Sequence, residues 1–434
     1  MPHSQFFLLK TKRFLPLFLT QFLGAFNDNV FKNALVILMT YHAAGKTSVD
    51  PRLLVTAAAG IFILPFFLFS ATAGQIADKF EKSRLIRIIR FLEMPVMALA
   101  VVGFYLENYW MLLAVLFCAG TQAAFFGPLK YSVLPEHLKE DELIGGNALI
   151  EAGTFLAILL GTILGGVLIL KEGGITFIST ILLVISLFGW LSSRWVPAAS
   201  SGASGLKVGY NIFAETWRLV RHAFGEKDVF LSIIGISWFW LAGFTFLAQF
   251  PIYVRDILGA NEEIVTLFLT VFSVGTAIGS LVCNRLLNGK VSGVYVPLGA
   301  FGMTAGIFLF WLASPSAVTH EGLIGFSEFI GIGRSWLILS SLLSIAAFGG
   351  IYIVPLYAIM QTRCDAAHRS RTIAINNVMN SLFMVMGAII TMMLLKLNVS
   401  ITEIFLAVGV VNIPVAFLVR RIVKLRRAAR GEAS

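Results

Sequence analysis

The chain has 434 residues, of which 58% are hydrophobic and 13% are charged, and its mean hydropathy is +0.86. This composition excludes an ordinary soluble globular domain and is typical of a protein that crosses a membrane many times. The formal net charge of +10 would also suit a nucleic-acid-binding protein, but the distribution of the charge along the chain indicates a topological cause instead.

Twelve apolar stretches, each long enough to span a bilayer as a helix, follow one another along the chain. The first is too long for the apolar region of a signal peptide and lacks a small-residue cleavage site, so we expect it to remain as the first helix. The sequence therefore predicts an all-α integral membrane protein. The approximate limits of the stretches are 14–41, 52–77, 84–106, 110–133, 144–170, 174–195, 228–255, 263–287, 294–313, 335–361, 372–396 and 400–420.

Positive charges fall mainly on one side of these stretches. If the amino terminus is cytoplasmic, that side receives 26 of the 33 Lys and Arg residues, including Arg90 and a basic tail from Arg420 to Arg430. The positive-inside rule then predicts that both termini are cytoplasmic, and the basic balance needs no nucleic-acid partner. The three cysteines, Cys118, Cys283 and Cys364, are odd in number and predict neither a disulfide framework nor a metal site.

Asp28 lies about halfway along the first stretch, which places its carboxylate near the bilayer midplane. A carboxylate is costly there, so a functional site is the default interpretation. Lys32 follows at i+4 on the same helix face, close enough to be a partner. The alternative is a closed Asp28–Lys32 pair that only holds helices together.

The one clear break in apolar character begins at Pro197 and divides the stretches six and six. It predicts an amino-terminal six-helix bundle over 1–196, a cytoplasmic linker over 197–227, and a second six-helix bundle with the basic tail over 228–434. Apolar residues on one helical face of the linker predict an amphipathic helix on the membrane surface, and a solvated connector is the alternative. That face carries Phe213, Trp217, Val220 and Phe224.

The two halves carry proline and asparagine residues at similar positions. Nineteen residues separate Pro128 from Asn147, and twenty-one separate Pro355 from Asn376, at corresponding places in each half. The similar spacing of proline and asparagine in the two halves predicts a parallel repeat of two bundles, with chance similarity among apolar helices as the alternative.

The turn after the second stretch contains Gly74, Asp78, Lys82 and Arg84, and it resembles the loop 2–3 signature of the major facilitator superfamily. Glycine permits close helix approach, Asp78 can cap a neighbouring helix, and the basic residues can anchor at headgroups. An ordinary basic turn is the alternative.

Four motifs narrow the resemblance to the bacterial lysophospholipid transporter family: Gln21–Asn29, Gly74–Asp78, Pro128–Tyr131 and Gly146–Ala152. The segments Ser237–Trp240 and Ala248–Pro251 look more like the transporter domain that is fused to an acyltransferase and an acyl-carrier-protein ligase. Membership implies movement of lysophospholipids from the outer to the inner leaflet of the bacterial cytoplasmic membrane, where an acyltransferase restores them to diacyl lipids. The resemblance implies lipid and lysophospholipid partners, no cofactor, and an acyltransferase as a possible partner.

A lysophosphatidylethanolamine headgroup offers an ammonium and a phosphate, so its site needs a carboxylate and a cation at low dielectric. We expect Asp28 to meet the ammonium or to orient Lys32, and Lys130 to meet the phosphate while Glu151 holds it; closed internal pairs are the alternative. Further substrate contacts are expected from residues that could equally bridge helices. These are Asn29, Tyr131, Asn147, Gln249, Asn376 and Asn377.

Three further features are less specific. Glu93 could bind a coupling proton or cation, or it could form a polar contact beside Pro95. The glycine pairs Gly161/Gly165 and Gly275/Gly279 are expected at a moving seam between the fifth and eighth helices, with ordinary packing as the alternative. Stand-alone members of the family are expected to carry an arginine in the seventh helix, but the segment 243–251 contains none, so headgroup preference can differ.

Enzymatic chemistry is not predicted. Acyltransferase chemistry needs a histidine with an aspartate five positions on, and His137 with Asp141 are one position too close. Gly45-Lys46-Thr47 imitates a phosphate-binding loop, yet Thr40 stands where glycine is required. Together with the family resemblance, this favours a facilitator-type lysophospholipid flippase. The alternatives are a transporter of another amphiphile or small solute, or a membrane platform that docks acyltransferases.

Overall fold

The structure is a computed structural model that describes residues 4–42, 51–209, 226–315 and 322–429, with isolated positions between 211 and 221. Its regular structure in these ranges is helical, apart from an isolated bridge between Ala260 and Ile324. The amphipathic linker helix stays a prediction, because Phe213, Val220 and Phe224 lie outside the described residues.

Twelve long helices, labelled α1 to α12 in chain order, make up the described bundle. Ten of them are long and apolar enough to cross a membrane. The other two, α1 and α3, carry charged residues in their middle portions, Asp28 and Lys32 in α1 and Arg90 and Glu93 in α3. The helices are Leu15–His42, Pro51–Lys79, Lys82–Tyr105, Tyr109–His137, Leu143–Leu168, Gly174–Ser193, Lys227–Ile252, Glu262–Leu287, Val296–Ala313, Gly333–Arg363, Arg369–Lys396 and Ile401–Ala429.

These bounds agree closely with the predicted stretches, and the main difference is that α12 continues to Ala429. Within the first half, α1 packs on α5 and α6, α2 packs on α4, and α3 packs on α4 and α6. Within the second half, α10 packs on α7, α8 and α9, while α12 packs on α7 and α9. The halves meet mainly through α5 with α8 and α2 with α11. The domain limits 1–196, 197–227 and 228–434 remain predictions.

Because α1 begins and α12 ends at the same face of the bundle, we call that face the termini side. A buried apolar core that extends through the second half also joins the two halves on the termini side, through residues such as Phe14, Leu134 and Ile359. On the opposite side, the first half has a separate core of its own, which includes Phe31 and Leu116. The halves are therefore packed together on the termini side and kept apart on the opposite side.

A buried carboxylate joins the halves on the termini side. Asp78 at the end of α2 is fully buried and accepts hydrogen bonds from the backbone N–H of Ser370 at 2.9 Å and from Arg371 Nε at 2.9 Å. Its charge thus faces the amino terminus of α11, where a negative charge is favourable. Gly74 permits this approach, because a Cβ there would lie 2.6 Å from the Cβ of Ala374.

The first residues of the linker, which include Ser200 and Gly202, pack against the same side, and we call this segment the strap. Lys82 is 2% exposed and donates to Glu136 and to the carbonyl of Ser200. The prediction that Lys82 anchors at headgroups is therefore wrong, because its charge is neutralised inside the protein; Arg84 is exposed. Gly202 reaches the second half, where a Cβ would lie 2.7 Å from the carbonyl oxygen of Ala366.

Beside the strap, Glu81 caps the start of α3. Partial burial alone would raise the pKa of Glu81, but hydrogen bonds from the backbone N–H groups of Ala199 and of the first turn of α3 lower it below its ordinary value. The carboxylate is thereby held in the charged form that caps the helix and binds the strap.

The glycine pairs do not lie at the seam between the halves. A Cβ at Gly161 would lie 2.7 Å from the carbonyl oxygen of Phe26 in α1, and one at Gly275 would lie 2.8 Å from Ala346 in α10. Gly165 and Gly279 likewise face α1 and α10. The seam prediction is wrong in this respect, because the glycine spacing indicates a close contact without saying which helix makes it.

We predict that Asp78→Asn weakens closure of the termini side. The loss of charge-assisted hydrogen bonds costs about 1.5–3 kcal/mol, so the ratio of closed to open molecules should fall on the order of 10- to 100-fold. Closure is measured as the rate of disulfide formation in a Gly145→Cys/Asn284→Cys pair on an otherwise cysteine-free chain, since a Cβ at Gly145 would lie 3.5 Å from Asn284 Cγ.

The matched control for this experiment is Asp256→Asn, which neutralises an exposed aspartate on the opposite side. Disulfide formation that is as fast in Asp78→Asn as in the control would contradict a closing role for Asp78.

Candidate functional site

A cavity of about 380 Å³ lies between the two halves, within the size range of small-molecule sites. Its lining comes from α1 to α5 of the first half and from α7, α10 and α11 of the second half. On α1 the lining residues Gln21, Ala25, Asp28 and Lys32 recur every three or four positions, so one face of this helix forms a wall of the cavity.

All four charged side chains of the lining belong to the first half: Asp28, Lys32, Arg90 and Lys130. Asp28 and Lys32 do not form a direct ion pair, although they interact electrostatically. The Lys32 ammonium lies 5.4 Å from the ring centre of Phe62 instead. The alternative of a closed Asp28–Lys32 pair thus does not describe this geometry, and both groups remain accessible to the cavity.

Lys130 and Glu151 are also without a direct ion pair. The Lys130 ammonium lies 4.4 Å from the ring centre of Tyr131, and the Tyr131 hydroxyl donates to Glu151 Oε1. Glu151 is fully buried behind the lining, and its Oε2 has no hydrogen-bond partner among the described residues. Glu151 therefore acts on the cavity through Tyr131 and through its charge rather than by direct contact.

Arg90 is a cavity residue that the sequence did not predict. The positive-inside count places its charge on the cytoplasmic side, but the side chain is 6% exposed and lines the cavity. Arg90 Nη1 donates to Glu93 Oε2 at 2.6 Å, and Asn27 Nδ2 donates to Glu93 Oε1 at 2.9 Å. Glu93 is thus engaged in polar contacts between α1 and α3, which favours the alternative to a coupling-ion role.

The remaining wall of the cavity is mainly apolar and aromatic. The ring of Trp240 on α7 stacks with that of Phe155 on α5 at a centroid distance of 6.1 Å and an interplanar angle of 10°. Position 247 of α7 contributes a leucine to the lining. The apolar residues facing the cavity include Phe62, Ile63, Phe66, Ile158, Phe244 and Met384.

Toward the termini side, an aromatic pair closes the cavity. The rings of Tyr131 and Tyr357 stack across the halves with centroids 4.4 Å apart and an interplanar angle of 9°. Trp240 Nε1 donates to the Tyr357 hydroxyl at 3.1 Å. One turn further, Asn147 Nδ2 donates to Gln361 Oε1 at 2.7 Å, and Gln361 Nε2 donates back at 2.9 Å.

Six of the ten residues predicted to bind substrate line the cavity: Asp28, Asn29, Lys32, Lys130, Tyr131 and Asn377. Gln249, Asn376, Glu151 and Asn147 lie outside the lining. For Asn147 the reason is the reciprocal bond to Gln361, which makes it a bridge between α5 and α10. Within the described ranges, no group of three or more His, Cys, Asp or Glu residues is placed to hold a metal ion.

Comparison with known proteins places this geometry in a family. The chain is 27% identical to the lysophospholipid transporter LplT of Photorhabdus laumondii over 81% of each chain. It is also 27% identical to LplT of Pectobacterium carotovorum, over 88% of this chain and 86% of the relative. The resemblance to lysophospholipid transporters that the motifs predicted is thereby confirmed.

Solved structures show the same fold at low sequence identity. The E. coli fucose:proton symporter aligns over 94% of this chain and 98% of its own with a TM-score of 0.71 and 14% identity. The human organic anion transporter MFSD10 aligns over 94% and 99% with a TM-score of 0.72 and 14% identity. The sequence profile of the Major Facilitator Superfamily matches residues 17–344. With three quarters of its length matched and twelve helices in two halves, the chain belongs to the Major Facilitator Superfamily.

Proposed function

We propose that this protein moves lysophospholipids from the outer to the inner leaflet of the bacterial cytoplasmic membrane by alternating access. The observation that carries the proposal is a cavity between the halves with charges on one wall and apolar rings on the other. A single-chain phospholipid has the same division into a charged headgroup and one apolar tail. The similarity to named lysophospholipid transporters supports the same cargo.

The charged wall suits a zwitterionic headgroup. Asp28 offers a carboxylate to an ammonium, and Lys130 offers a cation to a phosphate, in surroundings where such contacts are stronger than in water. Neither Asp28 nor Lys130 forms a direct ion pair in the described structure, so each can still bond to a ligand. Lys32 adds a second cation next to Asp28. Binding of the headgroup would supply the partners that these buried charges lack.

The apolar wall suits one acyl tail. Phe66 on α2, Phe244 on α7 and Met384 on α11 come from both halves and line the same cavity. A tail between them would bury apolar surface and would extend away from the charges on α1, α3 and α4. A platform that only docked acyltransferases would not need such a cavity, which is why we favour transport over that alternative.

The closed termini side supports an assignment of the conformational state. If the positive-inside rule holds and both termini are cytoplasmic, the packed side is the cytoplasmic side and the structure is an outward-open state. A fucose transporter solved in the outward conformation shares the fold with a TM-score of 0.71.

We further propose that the lipid delivered inward is re-acylated by an acyltransferase, which is a partner in function and need not bind this chain.

We predict that Asp28→Asn strongly slows inward movement of labelled lysophosphatidylethanolamine in proteoliposomes. The substitution keeps the shape of the side chain and removes the charge that meets the ammonium, which should lower the rate by at least tenfold. The measurement is the fraction of label protected from an external reagent with time. Asp256→Asn, an exposed aspartate outside the cavity, is the matched control.

Movement at the wild-type rate in folded Asp28→Asn would exclude Asp28 from the pathway. No movement by the wild-type chain above empty liposomes, with or without an ion gradient, would contradict lysophospholipid transport itself.

We also predict that Met384→Trp slows transport in a manner that depends on tail length. The larger side chain would fill part of the apolar wall, so long-chain lysophospholipids should lose at least five times more activity than short-chain ones. Met386→Trp is the control, because Met386 lies on the same helix but is 43% exposed on the outer surface of the bundle. Equal effects on long and short chains would contradict a tail path along α11.

A further inference from the structure

Arg90 has more hydrogen-bond donors than the protein uses. A guanidinium carries five N–H donors, and the described structure engages Nη1 with Glu93. Nε is buried without a hydrogen-bond partner, and the bond to Glu93 is the one hydrogen bond that the guanidinium makes within the described residues. The side chain is more than nine-tenths buried and its accessible part faces the cavity. Unpaired donors of a buried charge are costly, which indicates that a ligand completes their bonding.

Arg90 is also held firmly in place. Its guanidinium carbon lies 4.2 Å from the ring centre of Phe126, and Glu93 fixes one end of the group. The guanidinium rests directly on Gly24 of α1, where a Cβ would collide with Nη1 and Nη2. A fixed planar group with free donors is suited to binding the oxygens of an anion.

The position of Arg90 connects the two predicted parts of the headgroup site. Arg90 interacts electrostatically with both Asp28 and Lys130: it attracts the carboxylate and repels the ammonium. The second half supplies no cation to the cavity, since its lining residues are aromatic, apolar or uncharged polar groups such as Trp240, Leu247 and Asn377. Any strong anion in this cavity must therefore be bound by the first half.

We propose that Arg90 binds the phosphate of the cargo together with Lys130, and that it makes the cavity selective for single-chain amphiphiles carrying a phosphate ester. This inference rests on the proposed function and assigns its specificity to a particular residue. Three cations face the cavity against one carboxylate, Asp28, because Glu93 and Glu151 lie behind the lining. A phosphate-free amphiphile would leave the Lys130 ammonium, and the Arg90 donors that Glu93 does not engage, without an acceptor.

The test is equilibrium binding to the purified full-length chain. The ligands are lysophosphatidylethanolamine, a monoacylglycerol with the same tail but no phosphate, and glycerol 3-phosphate, which has the phosphate but no tail. The variants are Arg90→Lys, Arg90→Gln combined with Glu93→Gln, and Gly24→Ala. The pair is neutralised together so that Glu93 is not left buried without its partner. Arg285→Gln, on the exposed face of α8, is the control.

We expect affinity for lysophosphatidylethanolamine to fall on the order of 10- to 100-fold in the double variant and by a smaller factor in Arg90→Lys, which keeps the charge but not the planar donors. Gly24→Ala should reduce the same affinity by displacing the guanidinium. Affinity for the monoacylglycerol should not change. Equal losses for both lipids, or no loss in any variant, would overturn the assignment of Arg90.

Two further outcomes are informative. One distinguishes a lipid headgroup from a free phosphate ester as the ligand, and the other separates the Arg90 assignment from the proposed transport function. Binding of glycerol 3-phosphate that is as tight as that of the lysolipid and depends on Arg90 would identify a free phosphate ester as the ligand, and would overturn the lipid-headgroup assignment. Binding of lysophosphatidylethanolamine that depends on Arg90, without any movement by the wild-type chain, would leave the Arg90 assignment standing while contradicting the transport function.

Discussion

Charge inside a membrane-spanning bundle must find partners, and this constraint organises the protein. Arg90 and Glu93 satisfy this requirement by forming a 2.6 Å ion pair, and Asn27 donates a further hydrogen bond to Glu93. Asp78 meets it at the amino terminus of α11. Asp28 and Lys130 are different, because they face the cavity without a direct ionic partner. Glu93 and Asp78 hold helices together, whereas Asp28 and Lys130 are available to a substrate. Arg90 does both, because its ion pair with Glu93 leaves guanidinium donors unused at the cavity.

The two halves contribute unequally to the cavity. The first half supplies every charge of the lining, whereas the second half supplies rings, apolar chains and amides. Polar contacts that join the halves, such as Asn147 with Gln361, lie beyond the stacked Tyr131 and Tyr357 on the termini side. Opening that side would break these contacts while leaving the charges fixed to the first half. A headgroup could therefore stay bound to one half while the other half moves.

The sequence predicted the helices well because a spanning length of apolar residues is a strong local signal, and it predicted Asp28 because a carboxylate breaks that signal. It missed Arg90 because Arg84, Arg87 and Arg90 continue a basic helix end at regular spacing. Yet Arg90 lies eight residues into α3, roughly 12 Å deep, three positions before Glu93. Partners that depend on tertiary contact, such as Gln361 for Asn147, have no local signature.

Photo-crosslinking tests most directly whether the cavity holds a single-chain phospholipid across its two walls. A lysophosphatidylethanolamine with a diazirine near the end of its tail would be irradiated with the protein in a bilayer, and its adducts mapped by peptide sequencing. Our interpretation predicts adducts on the apolar wall, at residues such as Phe66, Phe244 and Met384, that disappear when unlabelled lysophosphatidylethanolamine is added in excess. Adducts confined to the outer surface, unaffected by that competition, would contradict it.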